Sequence, residues 1–159
     1  MNILKVSLLS LLLAIQAVSA ADQIAGKVVK VSDGDTVSLL VNGSETINVR
    51  LSEIDAPETN QPWGNKSKQA LSLLIATKNV TVSTTGKDRY GRTLGTIYLL
   101  EENVNKLMVK NGDAWAYTKY VADQEYFLLQ DHAKTQKAGL WSMSADQIIP
   151  PWDWRKKSK

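Results

Sequence analysis

Val37-Ser38-Leu39-Leu40-Val41-Asn42-Gly43-Ser44-Glu45-Thr46-Ile47-Asn48-Val49-Arg50-Leu51 reads as two strands and the turn between them. Val37, Leu39 and Val41 alternate with Ser38 and Leu40. Ile47, Val49 and Leu51 alternate with Thr46, Asn48 and Arg50. Successive side chains of a strand point to opposite faces, so each segment carries one apolar face. Asn42-Gly43 accepts the positive φ angles of a tight hairpin. Upstream, Asp33-Gly34 is a second turn signal, and Ile24 to Val31 is short, apolar and β-branched with lysines interspersed. That composition suits a further strand, and the three together form a meander.

Downstream, Pro57 and Pro62 enforce a loop. From Asn65 the spacing becomes helical, with Ser67, Ala70, Leu71 and Leu74 on one face. Val80 and Val82 mark a fourth strand, a turn from Gly86 to Gly91 follows, and a fifth strand runs about Leu94 to Leu100. Asn103 can cap a short helix carrying Val104, Leu107 and Met108, which Asn111-Gly112 ends. A last helix spans about Asp123 to Lys137 and stops at Gly139. Five short strands, a helix inserted after the third and helices at the end predict an α+β, mainly β fold. It is a five-stranded OB-fold β-barrel with three α-helices. The expected division is a leader over 1–20, one domain over 21–149 and a Trp/Lys-rich tail over 150–159, the end of which is read as mobile.

The leader follows from Lys5, the apolar run Val6 to Ile15 and the small residues Val18-Ser19-Ala20, which together make a signal peptide. An uncleaved anchor is the other reading of that run, although it is short for a membrane span. With no cysteine in the 159 residues, lipid attachment at a cysteine is excluded. So are disulfides, cysteine-based zinc sites and a cysteine nucleophile. The expected location is outside the cytoplasm, in a periplasm or the medium. The formal net charge of +3 is mild; it suits a polyanionic partner, whereas a duplex-coating protein is usually more basic.

Asp33, Asp35, Glu53, Asp55 and Glu58 crowd with Arg50 at turns and strand ends. Such a cluster is costly unless a cation binds there or the groups stay solvated. Asp35 shares parity with Val37 and points to the core side at the barrel mouth, while Asp33 sits in the turn. Alone, Asp-Gly-Asp reads equally as a plain turn, and Asp55 and Glu58 beside Pro57 read equally as loop solubility. Counting from Asp33, the fifth and twelfth positions are Val37 and Ser44, so the segment is not an EF-hand. Arg50 faces away from its strand's apolar stripe, and a bulge or the barrel's twist would have to bring it to Asp35. Arg92, on the Lys87-Asp88-Arg89-Tyr90-Gly91-Arg92 turn, is either a solvated hairpin tip or a guanidinium presented to a phosphate. His132, the only histidine, has the setting of a surface or packing residue. Proton transfer on this chain therefore falls to a carboxylate or bound water. The five tryptophans suit core and tail packing more simply than base stacking.

In this order and spacing, Asp33-Gly34-Asp35-Thr36, Val49-Arg50-Leu51, Ile54-Asp55-Ala56-Pro57-Glu58-Thr59 and Asp88-Arg89-Tyr90-Gly91-Arg92 resemble the thermonuclease (staphylococcal or micrococcal nuclease) family. Asn111-Gly112, Gly139-Leu140-Trp141 and Pro151-Trp152-Asp153-Trp154-Arg155 add weaker support, and the resemblance spans roughly Ile24 to Arg155. It implies a calcium-dependent nuclease on DNA and RNA, monomeric and without stable membrane association, preferring single-stranded or frayed regions. By position, Asp35 and Asp55 would ligate calcium, with the Ala56 backbone carbonyl beside them and Asp33 acting through water. Alanine stands at 56 where the best-known member has threonine, and a carbonyl ligand survives that change. Glu58 matches the residue assigned as general base, Arg50 and Arg92 the catalytic arginines, and Tyr90 with Arg89 the substrate side. The resemblance implies attack of water on phosphorus with loss of the 5′-oxygen, leaving 3′-phosphate ends. The rival is a non-catalytic OB-fold nucleic-acid binder. It predicts the loss of at least one of Asp35, Arg50, Asp55, Glu58 or Arg92, and all are present.

Overall fold

The computed structural model describes residues 22–157. The expected leader over 1–20 lies outside them. The meander forms as read: β1 (Gln23–Val31), β2 (Thr36–Val41) and β3 (Glu45–Leu51) pair in antiparallel succession. After a two-residue strand β4 (Ile54–Asp55) and helix α1 (Gly64–Ile75), strands β5 (Asn79–Lys87) and β6 (Thr93–Leu99) make a second hairpin. β1 pairs antiparallel with β5, and β3 pairs parallel with β6, Arg50 opposite Leu94. That second pairing closes the five long strands into a barrel.

Inside the barrel lie Val37, Leu39, Val49, Leu51, Val82 and Ile97, all wholly buried. These are the alternate positions of the strands, so the period-two pattern alone puts them there. Leu71 and Ile75 of α1 and Met108 and Val109 of α2 (Val104–Lys110) extend the same core. Asn103 caps α2, its side chain accepting from the Lys106 amide. Short strand β7 (Glu102–Asn103) adds to β6, and β8 (Trp115–Ala116) pairs with β4. Helix α3 (Glu125–Thr135) packs on α2, and its buried Gln130 accepts from the Ala116 amide.

The fourth helix, α4 (Pro151–Lys157), stands where the sequence suggested a tail with a mobile end. Proline fixes φ near the helical value and lacks only an N–H that a first turn does not use. Pro151 therefore opens a helix rather than breaking one, and it is buried. Among the described residues no helix is long and apolar enough to cross a membrane.

Candidate active site

Just after β3 the chain reverses sharply. Glu53 sits at φ +64, an unusual conformation for a non-glycine residue, and is held there from several sides. Its carboxylate accepts from the amides of Ala122 and Asp123, and its carbonyl from that of Tyr117. Fully buried Asn105 donates to the carbonyls of Ser52 and Gly95 and accepts from the Ile97 amide, tying the reversal to β6. The reversal carries Ile54 and Asp55 back over the side chain of Arg50. Arg50 Nη1 donates to the carbonyls of Leu51 and Ile54, and its Nη2 lies 3.0 Å from Asp35 Oδ2 and 3.0 Å from Asp55 Oδ1. Arg50 and Asp55 thus meet because the chain doubles back, while Asp35 comes to the same nitrogen from the turn leading into β2, whose Thr36 pairs with Arg50.

Asp35 is buried at the barrel mouth, as its parity with Val37 requires. Its Oδ2 accepts from the Ala56 amide at 2.7 Å and its Oδ1 from the Thr36 hydroxyl at 3.1 Å. Asp33 accepts from the Asp35 amide at 3.0 Å and so shapes the turn. Gly34 lets that turn pass close to α1: a Cβ on it would fall 1.8 Å from the Ser67 hydroxyl and 2.7 Å from Ala56 Cβ. The loop bearing Glu58 has a similar constraint. It closes through Gln61 N–H to the Glu58 carbonyl and Gly64 N–H to the Gln61 carbonyl, and a Cβ at Gly64 would fall 1.8 Å from the Glu58 carbonyl oxygen.

The electrostatics follow burial. Desolvation pushes the Asp35 carboxyl up to about 7 against the pull of Arg50, with Asp33 and Asp55 adding to the rise and the Ala56 amide opposing it. Burial also raises Asp55, although Arg155 and Arg50 both act the other way. Burial, more than neighbouring negative charge, is the cause at both carboxyls.

Arg155 is the residue that the sequence reading missed. Carried by α4, it grips Asp55 with two hydrogen bonds, Nη2 to Oδ2 at 2.7 Å and Nη1 to Oδ1 at 3.2 Å. Its Nη1 also donates to Glu58 Oε1 at 2.7 Å. The charges alternate along a line: Asp35, Arg50, Asp55, Arg155, Glu58. A compositional signal was present. The chain has four arginines against fifteen lysines, and three of the four had already been singled out. The choice of the forked, planar cation over the abundant one points to paired hydrogen bonding.

Arg92, Arg89 and Tyr90 stand apart from this line. Arg92 Nε and Nη2 both lie 2.8 Å from Asp88 Oδ2, and the Asp88 Oδ1 accepts from the amides of Tyr90 and Arg92. Burial alone would raise the Asp88 carboxyl, but these bonds and the Arg92 charge outweigh it and hold Asp88 low. Tyr90 is exposed, with the guanidiniums of Arg89 and Arg92 at 4.9 Å and 5.6 Å from its ring centre. Arg92 precedes by two the register partner of Arg50, so it lies on Arg50's side of the sheet.

Among the described residues no three acidic, histidine or cysteine groups converge as a ready-made metal cage. The donors nonetheless suit a hard cation: two buried carboxylates, Asp35 and Asp55, both reach one Arg50 nitrogen. A calcium ion takes oxygen ligands in flexible number and completes its shell with carbonyls and water.

The family model for staphylococcal nuclease homologues matches residues 48–143. An uncharacterized endonuclease of Haemophilus influenzae is 45% identical over 157 residues, covering 98% of this chain and 87% of the relative. A micrococcal nuclease of Shigella flexneri is 40% identical over 156 residues, covering 91% of this chain and 88% of the relative.

Proposed function

Since the chain belongs to the staphylococcal nuclease family and is a nuclease hydrolase, we propose that it is a calcium-dependent enzyme cleaving DNA and RNA at the P–O5′ bond to leave 3′-phosphate ends. The observation that carries this reading is the pair of buried carboxylates, Asp35 and Asp55, bracketing one Arg50 nitrogen beside Glu58. Asp35 and Asp55 would hold the ion, with the Ala56 carbonyl beside them and Asp33 through water. When bound, calcium would supply Lewis-acid polarisation of the phosphate and charge compensation.

The protein groups do the rest. Glu58 Oε1 is taken by Arg155, whereas Oε2 has no hydrogen bond among the described residues and is the oxygen able to receive a proton from water. As that water's oxygen bonds to phosphorus, the bond to the 5′-oxygen breaks, and the leaving oxygen takes a proton from solvent. Negative charge grows on the non-bridging oxygens. Arg50, whose side chain is only 13% exposed, donates to them from a site of low dielectric, where preorganised donors act most strongly. Arg92 exchanges Asp88 for a phosphate oxygen from the same side of the sheet. Tyr90 and Arg89, at the exposed turn, contact the flanking nucleotide. Single-stranded or frayed regions, whose phosphates are free to enter, are the preferred substrates in this reading. The enzyme acts as a monomer, exported to a periplasm or the medium and without stable membrane association.

Digestion of single-stranded DNA, duplex DNA and RNA by the purified protein, in calcium and in chelator, tests the reading. Cleavage in calcium and none in chelator is expected, with 3′-phosphate ends on the products. Zinc should not substitute productively, because the donors are oxygens. Full activity in chelator with no bound metal would overturn the ligand assignment.

A further inference from the structure

Helix α4 lies outside the residues matched by the family model, yet it reaches the centre of the site. Its placement is over-determined. The Trp152 ring stacks on Tyr117 at 5.2 Å with planes 1° apart and meets Trp115 edge-on at 5.7 Å. Trp154 Nε1 donates to Asn60 Oδ1 at 3.3 Å. Buried Gln61 joins the segment entering the helix to the Glu58 loop: its Nε2 donates to the Ile149 carbonyl, and its Oε1 accepts from the Glu58 amide at 3.1 Å. Aromatic stacking and a shared amide therefore hold α4 by contacts other than the ion pairs of Arg155.

We propose that Arg155 is a positioning residue of the nuclease site. Its fork on Asp55 and its bond to Glu58 Oε1 hold the two carboxylates in one fixed relation and leave Glu58 Oε2 facing water. The inference rests on the assignment of Glu58 as base and Asp55 as ligand. The geometry favours it over a stabilising surface pair. Asp55 is 1% exposed, and a guanidinium matched to both its oxygens while sharing a third bond with Glu58 has little rotational freedom. Lysine would supply the charge but not the three directed bonds.

The test compares Arg155→Ala and Arg155→Lys with the wild-type chain by steady-state kinetics on single-stranded DNA, calcium calorimetry and thermal melting. For Arg155→Ala the expected result is a fall in kcat of about 10–100-fold, the scale for losing a group that orients metal-site residues, with KM nearly unchanged. Calcium binding should be at least as tight as in wild type, because a positive charge has left the side of a ligand. Arg155→Lys should return calcium affinity to the wild-type value while kcat stays low. These opposed movements are what a folding defect does not produce. Wild-type kcat in Arg155→Ala, a rise in kcat, or joint loss of kcat and calcium binding with a lowered melting temperature would each overturn the proposal. Wild-type protein that shows no calcium-dependent cleavage would instead overturn the functional reading, and this proposal with it.

Discussion

The barrel mouth and the Asp88–Arg92 turn both pair arginine with aspartate at hydrogen-bonding distance, yet the aspartates respond in opposite senses. At the mouth, Asp35 and Asp55 are buried and their carboxyls rise despite Arg50. At the turn, Asp88 is well supplied with donors near solvent and its carboxyl falls. The ion pair is the same; the water differs. A buried pair repays its desolvation only when every charge is matched, and at the mouth three acids face two arginines. That imbalance is what the proposed calcium ion would relieve. The turn, already balanced, is built to lend its arginine elsewhere.

The most severe break in the comparison should come from removing the proposed base at the mouth. Glu58→Gln keeps size and hydrogen bonding, and kcat should fall about 10²–10⁴-fold, the scale for general acid–base catalysis. Single-turnover cleavage in saturating calcium checks it, with His132→Ala as a control expected to change nearly nothing. Next come the arginines. Arg50→Lys and Arg92→Lys should each lower kcat by about 10²–10³-fold, as for loss of one oxyanion donor, with nucleic-acid binding retained. A folded Arg92→Lys enzyme with wild-type kcat would make that turn a surface feature only.

Stability should separate the two regions more clearly than rate. Arg50→Ala leaves buried Asp35 without its cation, while Asp55 keeps Arg155, and should destabilise the metal-free protein by about 3–5 kcal/mol. Arg92→Ala breaks a partly exposed pair and should cost about 0–1 kcal/mol. Urea melts at neutral pH distinguish these outcomes.

Acidity separates the two regions as well. Asp35 holds its proton more tightly in the folded protein, about 7, than in the unfolded chain, near 3.8. The native state therefore binds the extra proton between those values. This contribution is fully present below 3.8 and is lost as pH rises through 7. Metal-free protein should thus lose stability across that window. Asp35→Asn should flatten the loss, and calcium should reverse it, binding more tightly as Asp35 ionises. Melting temperatures at fixed ionic strength, with and without calcium, provide the measurement.

Much of this was legible in the residues. Alternation placed Val37, Leu39, Val49 and Leu51 in the core, and Asn103 capped the helix its chemistry suggested. Asp35 lay where parity put it. What escaped was non-local. Arg50 reaches Asp55 through a reversal whose anchor at Glu53 accepts bonds from residues about seventy positions away. Arg155 reaches Asp55 across 100 positions. Local propensity carries no information about such contacts, and a proline pair followed by tryptophan and lysine resembles a tail until stacking on Tyr117 gives its helix a place.

The parallel pairing of β3 with β6 also sets the order in which this molecule assembles. The meander β1–β2–β3 and the hairpin β5–β6 each join sequence neighbours and can form early. Their union requires β1 to find β5 and β3 to find β6 across the whole of α1, where loop-closure entropy is paid before contacts repay it. Arg50 belongs to the first piece and Arg92 to the second. During refolding, far-ultraviolet ellipticity should therefore recover before hydrolysis does, and turnover should appear only with the slow phase that seals the barrel.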